Sequence, residues 1–201
     1  MAHRAPKHEQ QHEQQHEHQH ESMHEQQREL LALIGLGANI GDPAAQVRAA
    51  AERLAALASD PTALRLSSLW RSAPVDCPPG SPDFVNAVAA FPVAVDTDPQ
   101  QLLQALLDIE AAAGRQRSIA NAPRRLDLDL LLLGERICDT ATLTLPHPRG
   151  HQRAFVLLPA AEIVPELVWP GTGRTVAALR DALGPVSGLE RILEGIQAAG
   201  S

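Results

Sequence analysis

Lysine is nearly absent from this sequence of 201 residues, since Lys7 is the only one. No Gly-Lys-Ser or Gly-Lys-Thr element occurs either, which excludes a phosphate-binding loop that depends on lysine. An excess of positive charge is also missing, because the formal net charge is -7 at pH 7. That balance argues against a general nucleic-acid binder. Any phosphate site must therefore be local and use arginine.

Cysteine and long apolar runs are scarce as well. Cys77 and Cys138 are the only cysteines, too few for a disulfide framework and not spaced as metal ligands. No apolar run approaches the roughly 20 residues that a membrane span needs, and the amino terminus lacks the apolar stretch of a secretion signal. We expect a cytoplasmic protein that is neither exported nor anchored.

The composition predicts one domain, residues 29–201, after a tail. Residues 1–28 carry almost no apolar side chains and repeat His-Glu-x-x-His between His8 and His24. Such a segment cannot offset a backbone ordering cost of roughly 1–2 kcal/mol per residue, so disorder or a frayed helix is expected. A catalytic zinc site also needs a third ligand and a rigid cavity. We therefore expect only weak, adventitious zinc or nickel binding there.

Hydrophobic periodicity indicates an alternating series of strands and helices. Asp42 is placed to cap a helix that opens with Pro43, and Gly114 is placed to stop a second helix. The predicted strands cover 30–37, 64–71, 84–95 and 126–133, and the helices cover 43–58 and 99–113. This order predicts a ferredoxin-like α+β sandwich, an antiparallel sheet with helices on one face. Residues 143–161 and 176–183 should add a strand piece and helices.

Paired carboxylates stand on the last of these strands. In Arg-Arg-Leu-Asp-Leu-Asp, Asp127 and Asp129 should share one face about 6.6 Å apart. Their repulsion calls for a cation between them, and two magnesium ions held by carboxylates and phosphate oxygens match that geometry. Neutralisation of a solvent-facing pair by Arg124 and Arg125 is the alternative.

Two further stretches flank that strand. Arginines cluster between Glu110 and the carboxylates, and guanidinium forks bind phosphate oxygens bidentately. A solubilising basic loop is the alternative for this cluster. The second stretch is Leu-Pro-His-Pro-Arg-Gly-His-Gln-Arg-Ala-Phe at 145–155, which alone would be weak evidence. Together with the aspartates, the two stretches predict a polyphosphate site.

With these motifs assembled, residues 34–169 resemble the 6-hydroxymethyl-7,8-dihydropterin pyrophosphokinase family. The likeness is carried by Gly-Leu-Gly-Ala-Asn at 35–39, Asp-Phe-Val-Asn at 83–86, Gly-Arg-Gln-Arg at 114–117, Pro-Arg-Arg-Leu-Asp-Leu-Asp at 123–129 and the 146–155 stretch. The resemblance implies transfer of the β,γ-diphosphate of ATP to the hydroxymethyl oxygen, leaving AMP, on the route to folate. No obligate protein partner is expected from the sequence.

The resemblance also implies roles for individual residues. Asp127 and Asp129 match the ligands of both magnesium ions and, with Arg115 and Arg124, the catalytic positions. The positions that match ATP contacts are Glu110, Arg115, Arg117, Arg124, His147 and Arg153. The positions that match pterin contacts are Ser72, Pro74, Val75, Phe84, Asn86 and Phe155. Asn121 and Phe84 depart from the tryptophan and tyrosine that the family often carries, and the first departure concerns how a loop closes.

Two other classes of function compete with this one. Gly-Leu-Gly-Ala-Asn-Ile-Gly at 35–41 follows a strand and opens a helix, as in a dinucleotide-binding oxidoreductase. Its spacing is wrong by one, and no series of βαβ units follows. The other class is a non-catalytic nucleotide- or metal-binding module in which the histidine tail is the working part.

Overall fold

The computed structural model describes residues 29–74, 77–114 and 124–193. The first part of these ranges contains β1 (Glu29–Ala38), α1 (Pro43–Ala55), β2 (Arg65–Leu66), β3 (Trp70–Ser72), β4 (Phe84–Ala94), α2 (Pro99–Ala112) and β5 (Asp127–Leu133). The second part contains β6 (Cys138–Asp139), β7 (Thr144–Leu145), α3 (Ala154–Ile163), β8 (Val168–Trp169), β9 (Arg174–Thr175), α4 (Val176–Asp181) and β10 (Leu189–Arg191).

The main sheet is antiparallel and confirms the predicted fold class. Its strands lie in the order β10-β3-β4-β1-β5, and β2 also pairs with β4. The long central strands β1 and β4 come from apolar runs; β4 is buried over most of its length and β1 at half of its positions. The position of β5 on the outer side of β1 brings the carboxylate strand next to the glycines of the first strand.

Helices cover both faces of this sheet, whereas the sequence predicted helices on one face. Helices α1 and α2 pack on one face through Val47, Leu54 and Leu106. On the other face, Val156 and Leu157 of α3 pack with α4 in a second apolar cluster. The second layer forms because the strands β1, β4 and β5 carry apolar side chains on both of their faces, and these must be removed from water.

Both long helices begin as their sequences predict. The side chain of Asp42 accepts a hydrogen bond from the Ala45 N–H at 3.0 Å, and Asp98 accepts one from Gln100 at 3.0 Å. Each cap satisfies an N–H that the first turn of a helix leaves unpaired. Helix α2 is followed by Gly114 at φ +84°, a conformation that glycine adopts without steric cost.

The predicted strand at 64–71 is broken in two at Ser67. The Ser67 hydroxyl accepts a hydrogen bond from the Val88 N–H and donates one to the Ser68 carbonyl, both at 2.9 Å. A side-chain oxygen thus replaces a backbone acceptor in the ladder, and β2 and β3 pair with β4 separately. Strand β3 then carries Ser72 towards the beginning of β4.

Strand β5 contains an irregularity that fixes which faces its side chains share. Its register with β1 shifts between Leu33 and Ile34, so that Leu131 has no partner of its own in β1. Leu131 and the adjacent Leu132 consequently both join the cluster beneath α3. None of the helices within the described ranges combines the length and hydropathy that crossing a membrane would take.

Candidate active site

Two glycines inside β1 form the centre of the candidate site. Gly37 lies opposite Asn86 of β4 on one side and opposite Asp127 of β5 on the other. Directly paired residues of neighbouring strands point to the same face of a sheet. The Asn86 amide and the Asp127 carboxylate therefore flank Gly37 in one cross-strand row, and Asp129 lies beside Gly35 in the next row.

A cleft of about 230 Å³ opens above these rows. Because Gly35 and Gly37 have no side chains, the cleft reaches down to the backbone of β1. Nine of the residues predicted for the site from the sequence line it: Ser72, Phe84, Asn86, Arg124, Asp127, Asp129, His147, Arg153 and Phe155. The tertiary structure thus gathers in one place residues that lie up to 83 positions apart in the chain, from Ser72 to Phe155.

The positively charged side chain of Arg124 lies at the carboxylate end of the cleft. The Arg124 guanidinium lies 2.7 Å from the Asp127 carboxylate, and both side chains are partly exposed. Burial alone would lower the pKa of Arg124, but Asp127, Asp129 and Glu110 outweigh it and raise that pKa. Arg124 is therefore fully charged at neutral pH. The alternative from the sequence, neutralisation of a solvent-facing pair by Arg124 and Arg125, includes this one contact and otherwise stays a prediction.

Glu110 lies beneath the carboxylate strand and is not among the residues that line the cleft. Glu110 is only 1% exposed, and its carboxylate accepts a hydrogen bond from the Leu128 N–H at 2.7 Å. Leu128 is the residue between Asp127 and Asp129. Within the described residues β5 pairs only with β1, so this side chain serves a backbone donor of the strand that carries both aspartates.

The segment after β7 brings His147 to the cleft. Its backbone N–H donates to the Leu131 carbonyl at 2.9 Å, and its ring Nδ1 accepts the Arg149 N–H at 3.2 Å. Burial lowers the pKa of His147, and the nearby guanidinium groups of Arg153 and Arg149 lower it further. The ring is consequently neutral at pH 7, and because Nδ1 is an acceptor, its proton lies on Nε2.

Two half-buried aromatic rings and an amide form the opposite end. Phe84 and Phe155 line the cleft, and Asn86 donates a hydrogen bond to the Ser72 hydroxyl at 2.8 Å. The Arg153 guanidinium carbon lies 5.3 Å from the centre of the Phe155 ring, within the range of a cation–π contact. Arg153 thus borders both the aromatic end and the His147 end.

Comparison with known proteins decides the family. The family model described as "7,8-dihydro-6-hydroxymethylpterin-pyrophosphokinase (HPPK)" matches residues 33–165, which is more than half of the chain. The chain belongs to this family. The match runs from β1 to the turn after α3 and so contains every cleft residue named above.

Individual members of the HPPK family agree with this match. A 2-amino-4-hydroxy-6-hydroxymethyldihydropteridine pyrophosphokinase of Methylorubrum extorquens is 43% identical over 168 residues, covering 80% of this chain and 98% of the relative. A protein of the same description from Synechocystis sp. is 41% identical over 148 residues, covering 74% of this chain and 73% of the relative. These matches confirm the predicted class, an ATP-dependent pyrophosphokinase of folate biosynthesis.

A solved structure supports the fold. Wild-type Plasmodium falciparum HPPK-DHPS with STZ-DHP has a TM-score of 0.57 and 13% sequence identity to this chain. The match covers 77% of this chain but 43% of the solved chain, so this chain spans less than half the length of that protein. At such an identity the likeness bears on the α+β architecture alone.

Membership of the HPPK family removes the oxidoreductase alternative, and the structure gives the physical reason. A dinucleotide fingerprint places its glycines in the turn between a strand and a helix. Here Gly35 and Gly37 lie within β1 and pair with both neighbouring strands. Only Gly41, at φ +74°, belongs to the turn before α1.

Some site residues predicted from the sequence are not brought into the cleft. Pro74 is described but, like Glu110, does not line it. Val75, Arg115 and Arg117 lie outside the described residues, as does Asn121.

The structure also adds residues that the sequence did not single out for this HPPK site. Arg149 lines the cleft beside His147, and Gly35 and Gly37 form its floor. Arg149 belongs to the stretch at 145–155, but an exposed arginine carries no functional signal of its own in a sequence. Asn39 ends the Gly-Leu-Gly-Ala-Asn stretch at 35–39, where a polar residue after a strand is ordinary, but in the structure it is only 3% exposed.

A divalent cation would depend on few protein ligands. No group of three or more histidine, cysteine, aspartate or glutamate side chains suited to a metal occurs among the described residues. Magnesium, however, is commonly held by one or two carboxylates, with substrate phosphates and water completing its shell. Asp127 and Asp129, which share one face of β5 and line the cleft, fit that requirement.

Proposed function

We propose that this cleft binds ATP and 6-hydroxymethyl-7,8-dihydropterin side by side and transfers the β,γ-diphosphate of ATP to the hydroxymethyl oxygen. The observation that carries this proposal is the row Asn86–Gly37–Asp127. An amide that suits the edge of a heterocycle and a carboxylate that suits a magnesium-bound phosphate are separated only by a glycine. The two substrates would therefore meet above Gly37.

The pterin would occupy the aromatic end. Phe84 and Phe155 offer two apolar ring faces, and flat heterocycles stack on such rings. Asn86 can donate and accept hydrogen bonds, and its orientation is fixed by the Ser72 hydroxyl. Val75 and the backbone near Pro74 would complete this edge, as the family resemblance implies. Phenylalanine at position 84 is sufficient, because stacking needs a ring and not a hydroxyl.

The phosphates would occupy the end that contains Arg124, His147 and Arg153. Arg124 and Arg153 can bind phosphate oxygens bidentately, and neutral His147 presents its Nε2–H as a donor. Arg149 is an additional cation at the rim of the cleft. Arg115 and Arg117 would contribute from the arginine loop. The Arg153 guanidinium covers one face of the Phe155 ring. A pterin could stack on that face only after this guanidinium has moved away to bind a phosphate group.

Asp127 and Asp129 would hold two magnesium ions. When bound, such ions neutralise phosphate charge and lower the pKa of a bound alcohol. The protein's own contribution is to hold both carboxylates on one strand face, with Glu110 supporting the backbone between them. The alcohol releases its proton to solvent, and its oxygen forms a bond to the β-phosphorus. The bond between the β-phosphorus and the α,β-bridging oxygen breaks, its electron pair stays on that oxygen, and AMP leaves.

No dedicated base for the alcohol is evident among the described cleft residues, so positioning and charge neutralisation would account for the rate. The cleft residues hold the alcohol in line with the leaving group and exclude water from the transferred phosphorus. Residues 29–201 would form this single catalytic domain after the tail. A cytoplasmic location stays a prediction.

The test is to incubate the protein with ATP and magnesium, with and without 6-hydroxymethyl-7,8-dihydropterin, and to separate the nucleotides. AMP that depends on the pterin is expected, because diphosphoryl transfer leaves AMP and single phosphoryl transfer leaves ADP. A protein that lacks residues 1–28 is the matched control and should release AMP at the same rate. Production of ADP, or AMP at a rate independent of the pterin, would contradict the proposal.

A further inference from the structure

One buried amide joins the two loops that border opposite ends of the cleft. Asn39 follows β1 directly and is only 3% exposed. Its side-chain nitrogen donates to the Pro82 carbonyl at 3.2 Å, and its side-chain oxygen accepts the Arg124 N–H at 2.8 Å. Its own backbone N–H donates to the Arg124 carbonyl at 3.1 Å. Asn39 therefore uses both ends of one carboxamide to hold two distant chain segments.

The two segments belong to different substrates in the proposed function. Pro82 lies two residues before Phe84, the ring at the pterin end. Arg124 lies at the phosphate end and forms an ion pair with Asp127 at 2.7 Å. Two hydrogen bonds of Asn39 and the ion pair between Arg124 and Asp127 thus connect the pterin end of the cleft with its phosphate end.

We infer that Asn39 is a positioning residue that couples the binding of the pterin to the binding of ATP. This inference rests on the proposed function, because it assigns the two loops to the two substrates. The physical reason is that the carboxamide is a rigid plane, so its donor and acceptor directions cannot change independently. When ATP draws Arg124 into its bound position, the same plane holds Pro82, and hence the approach to Phe84, in place.

Coupling of this kind has a measurable consequence. If one ligand fixes the position of a shared element, the second ligand binds more tightly, and the factor is the same in both directions. Coupling factors between sites are typically about 5–150-fold. We expect the pterin to bind the wild-type protein at least about fivefold more tightly when the ATP site is filled. The affinity for ATP in the absence of the pterin should depend much less on Asn39.

The experiment is calorimetry of pterin binding, with and without saturating α,β-methylene ATP and magnesium. This analogue cannot be cleaved at the bond that the reaction breaks. The coupling factor is the ratio of the two pterin dissociation constants. In Asn39→Asp the side chain still accepts from Arg124 but cannot donate to Pro82. We expect its coupling factor to fall about threefold or more, while the analogue alone binds within about twofold of wild type.

Asn39→Leu removes both side-chain hydrogen bonds at a similar volume, and its coupling factor should fall to about 1. The matched control is Gln46→Ala, since the Gln46 side chain also bonds a backbone carbonyl of this turn, that of Ile40 at 3.0 Å. Its coupling factor should equal that of wild type. If Asn39→Leu does not fold, the coupling factor of Asn39→Asp alone tests the inference.

Three results would overturn the inference. They are a coupling factor of 1 in the wild-type protein, an unchanged coupling factor in Asn39→Asp, and an equal decrease of the coupling factor in the Asn39 and Gln46 variants. Failure of the inference is distinct from failure of the proposed function. Pterin-dependent AMP release by the wild-type protein measures the function directly and does not depend on the coupling factor.

Discussion

The carboxylate of Glu110 accepts a hydrogen bond from the backbone N–H of Leu128 at 2.7 Å. Helix α2 thereby supports the strand that carries the two aspartates, from the side that β1 does not occupy. A buried backbone donor on the outer edge of a sheet needs an acceptor, since leaving it unpaired costs about 1–3 kcal/mol. The position of Glu110 in the last full turn of α2 supplies one.

Glu110 is accordingly predicted to affect stability through this bond. Glu110→Ala should lower the free energy of unfolding by about 1–3 kcal/mol, because the Leu128 N–H loses its acceptor. Glu110→Gln retains an acceptor oxygen and should lower it less. Urea unfolding followed by circular dichroism measures both. Equal stability of the alanine variant and the wild type would show that Leu128 finds another acceptor.

The two aspartates are predicted to be essential for turnover and dispensable for folding. Asp127→Asn or Asp129→Asn should lower the rate of AMP release by at least about 100-fold, since charge stabilisation at a transferred phosphoryl group is lost. The Arg124–Asp127 pair is partly exposed, so its loss should change stability by at most about 1 kcal/mol. The control is Asp139→Asn, an exposed carboxylate of β6.

A ligand measurement separates metal binding from folding in these variants. Magnesium with α,β-methylene ATP should raise the melting temperature of the wild type and of Asp139→Asn, because a ligand that binds only the folded state stabilises it. The rise should be absent in the Asp127 and Asp129 variants. Near-wild-type turnover in either variant would refute the assignment of the two carboxylates as magnesium ligands.

His147 is predicted to make stability fall in mildly acidic solution. Its pKa in the folded protein is lowered by burial and then by Arg153 and Arg149, whereas the ordinary value in an unfolded chain is about 6.5. Below that ordinary value the unfolded chain binds a proton that the folded protein does not, so the free energy of unfolding decreases. Above pH 6.5 His147 is neutral in both states, so its effect on the free energy of unfolding no longer changes with pH.

Urea unfolding between pH 8 and pH 5, without nucleotide or magnesium, measures this effect. The wild type should lose more stability over this range than His147→Gln, because glutamine does not titrate. The difference between the two proteins isolates His147 from the other histidines. Identical pH profiles would mean that His147 titrates alike in both states.

Gly150 is predicted to position the segment between His147 and Arg153 by close packing. A Cβ atom there would lie 2.7 Å from two ring carbons of Trp169, which is 1% exposed. Gly150→Ala should therefore lower the free energy of unfolding by about 1–3 kcal/mol through overpacking. Urea unfolding tests this directly, and a stability equal to wild type would show that the Trp169 ring moves aside freely.

Gly37→Ala is the matched comparison. Its Cβ would meet only the Asn86 side-chain oxygen, at an ordinary 3.5 Å. Stability should change by less than about 1 kcal/mol, but the methyl group would fill the floor of the cleft. We expect the KM for the pterin to rise several-fold. A variant with wild-type kinetics would place the pterin elsewhere than above Gly37.

The local structure of this protein was predictable from its sequence because it depends on neighbouring residues. Asp42 and Asp98 cap their helices, the prolines that follow open them, and Gly114 ends α2. The alternation in β5 places Asp127 and Asp129 on one face in any strand. These features follow from hydrogen bonds and steric limits within a few residues, so the fold class could be inferred from their order.

The chemistry was recognisable for the same reason. Paired aspartates preceded by arginines, with a histidine and arginine motif downstream, occupy the sequence at fixed spacing, and the match over residues 33–165 confirms the family. Short spacings of charged residues survive as patterns even before their three-dimensional arrangement is known. The predicted single domain and the predicted roles of individual residues stay predictions.

Only the tertiary structure decided how these parts meet. Pairing of β1 with both β4 and β5 places Asn86 and Asp127 on either side of Gly37, although these two residues lie 41 positions apart in the chain. The hydrogen bond of Glu110 to β5, the hydrogen bonds of Asn39 to two loops and the second helical layer were likewise invisible in the sequence. Each depends on contacts between distant segments, whose register is set by the burial of whole faces and not by local preference.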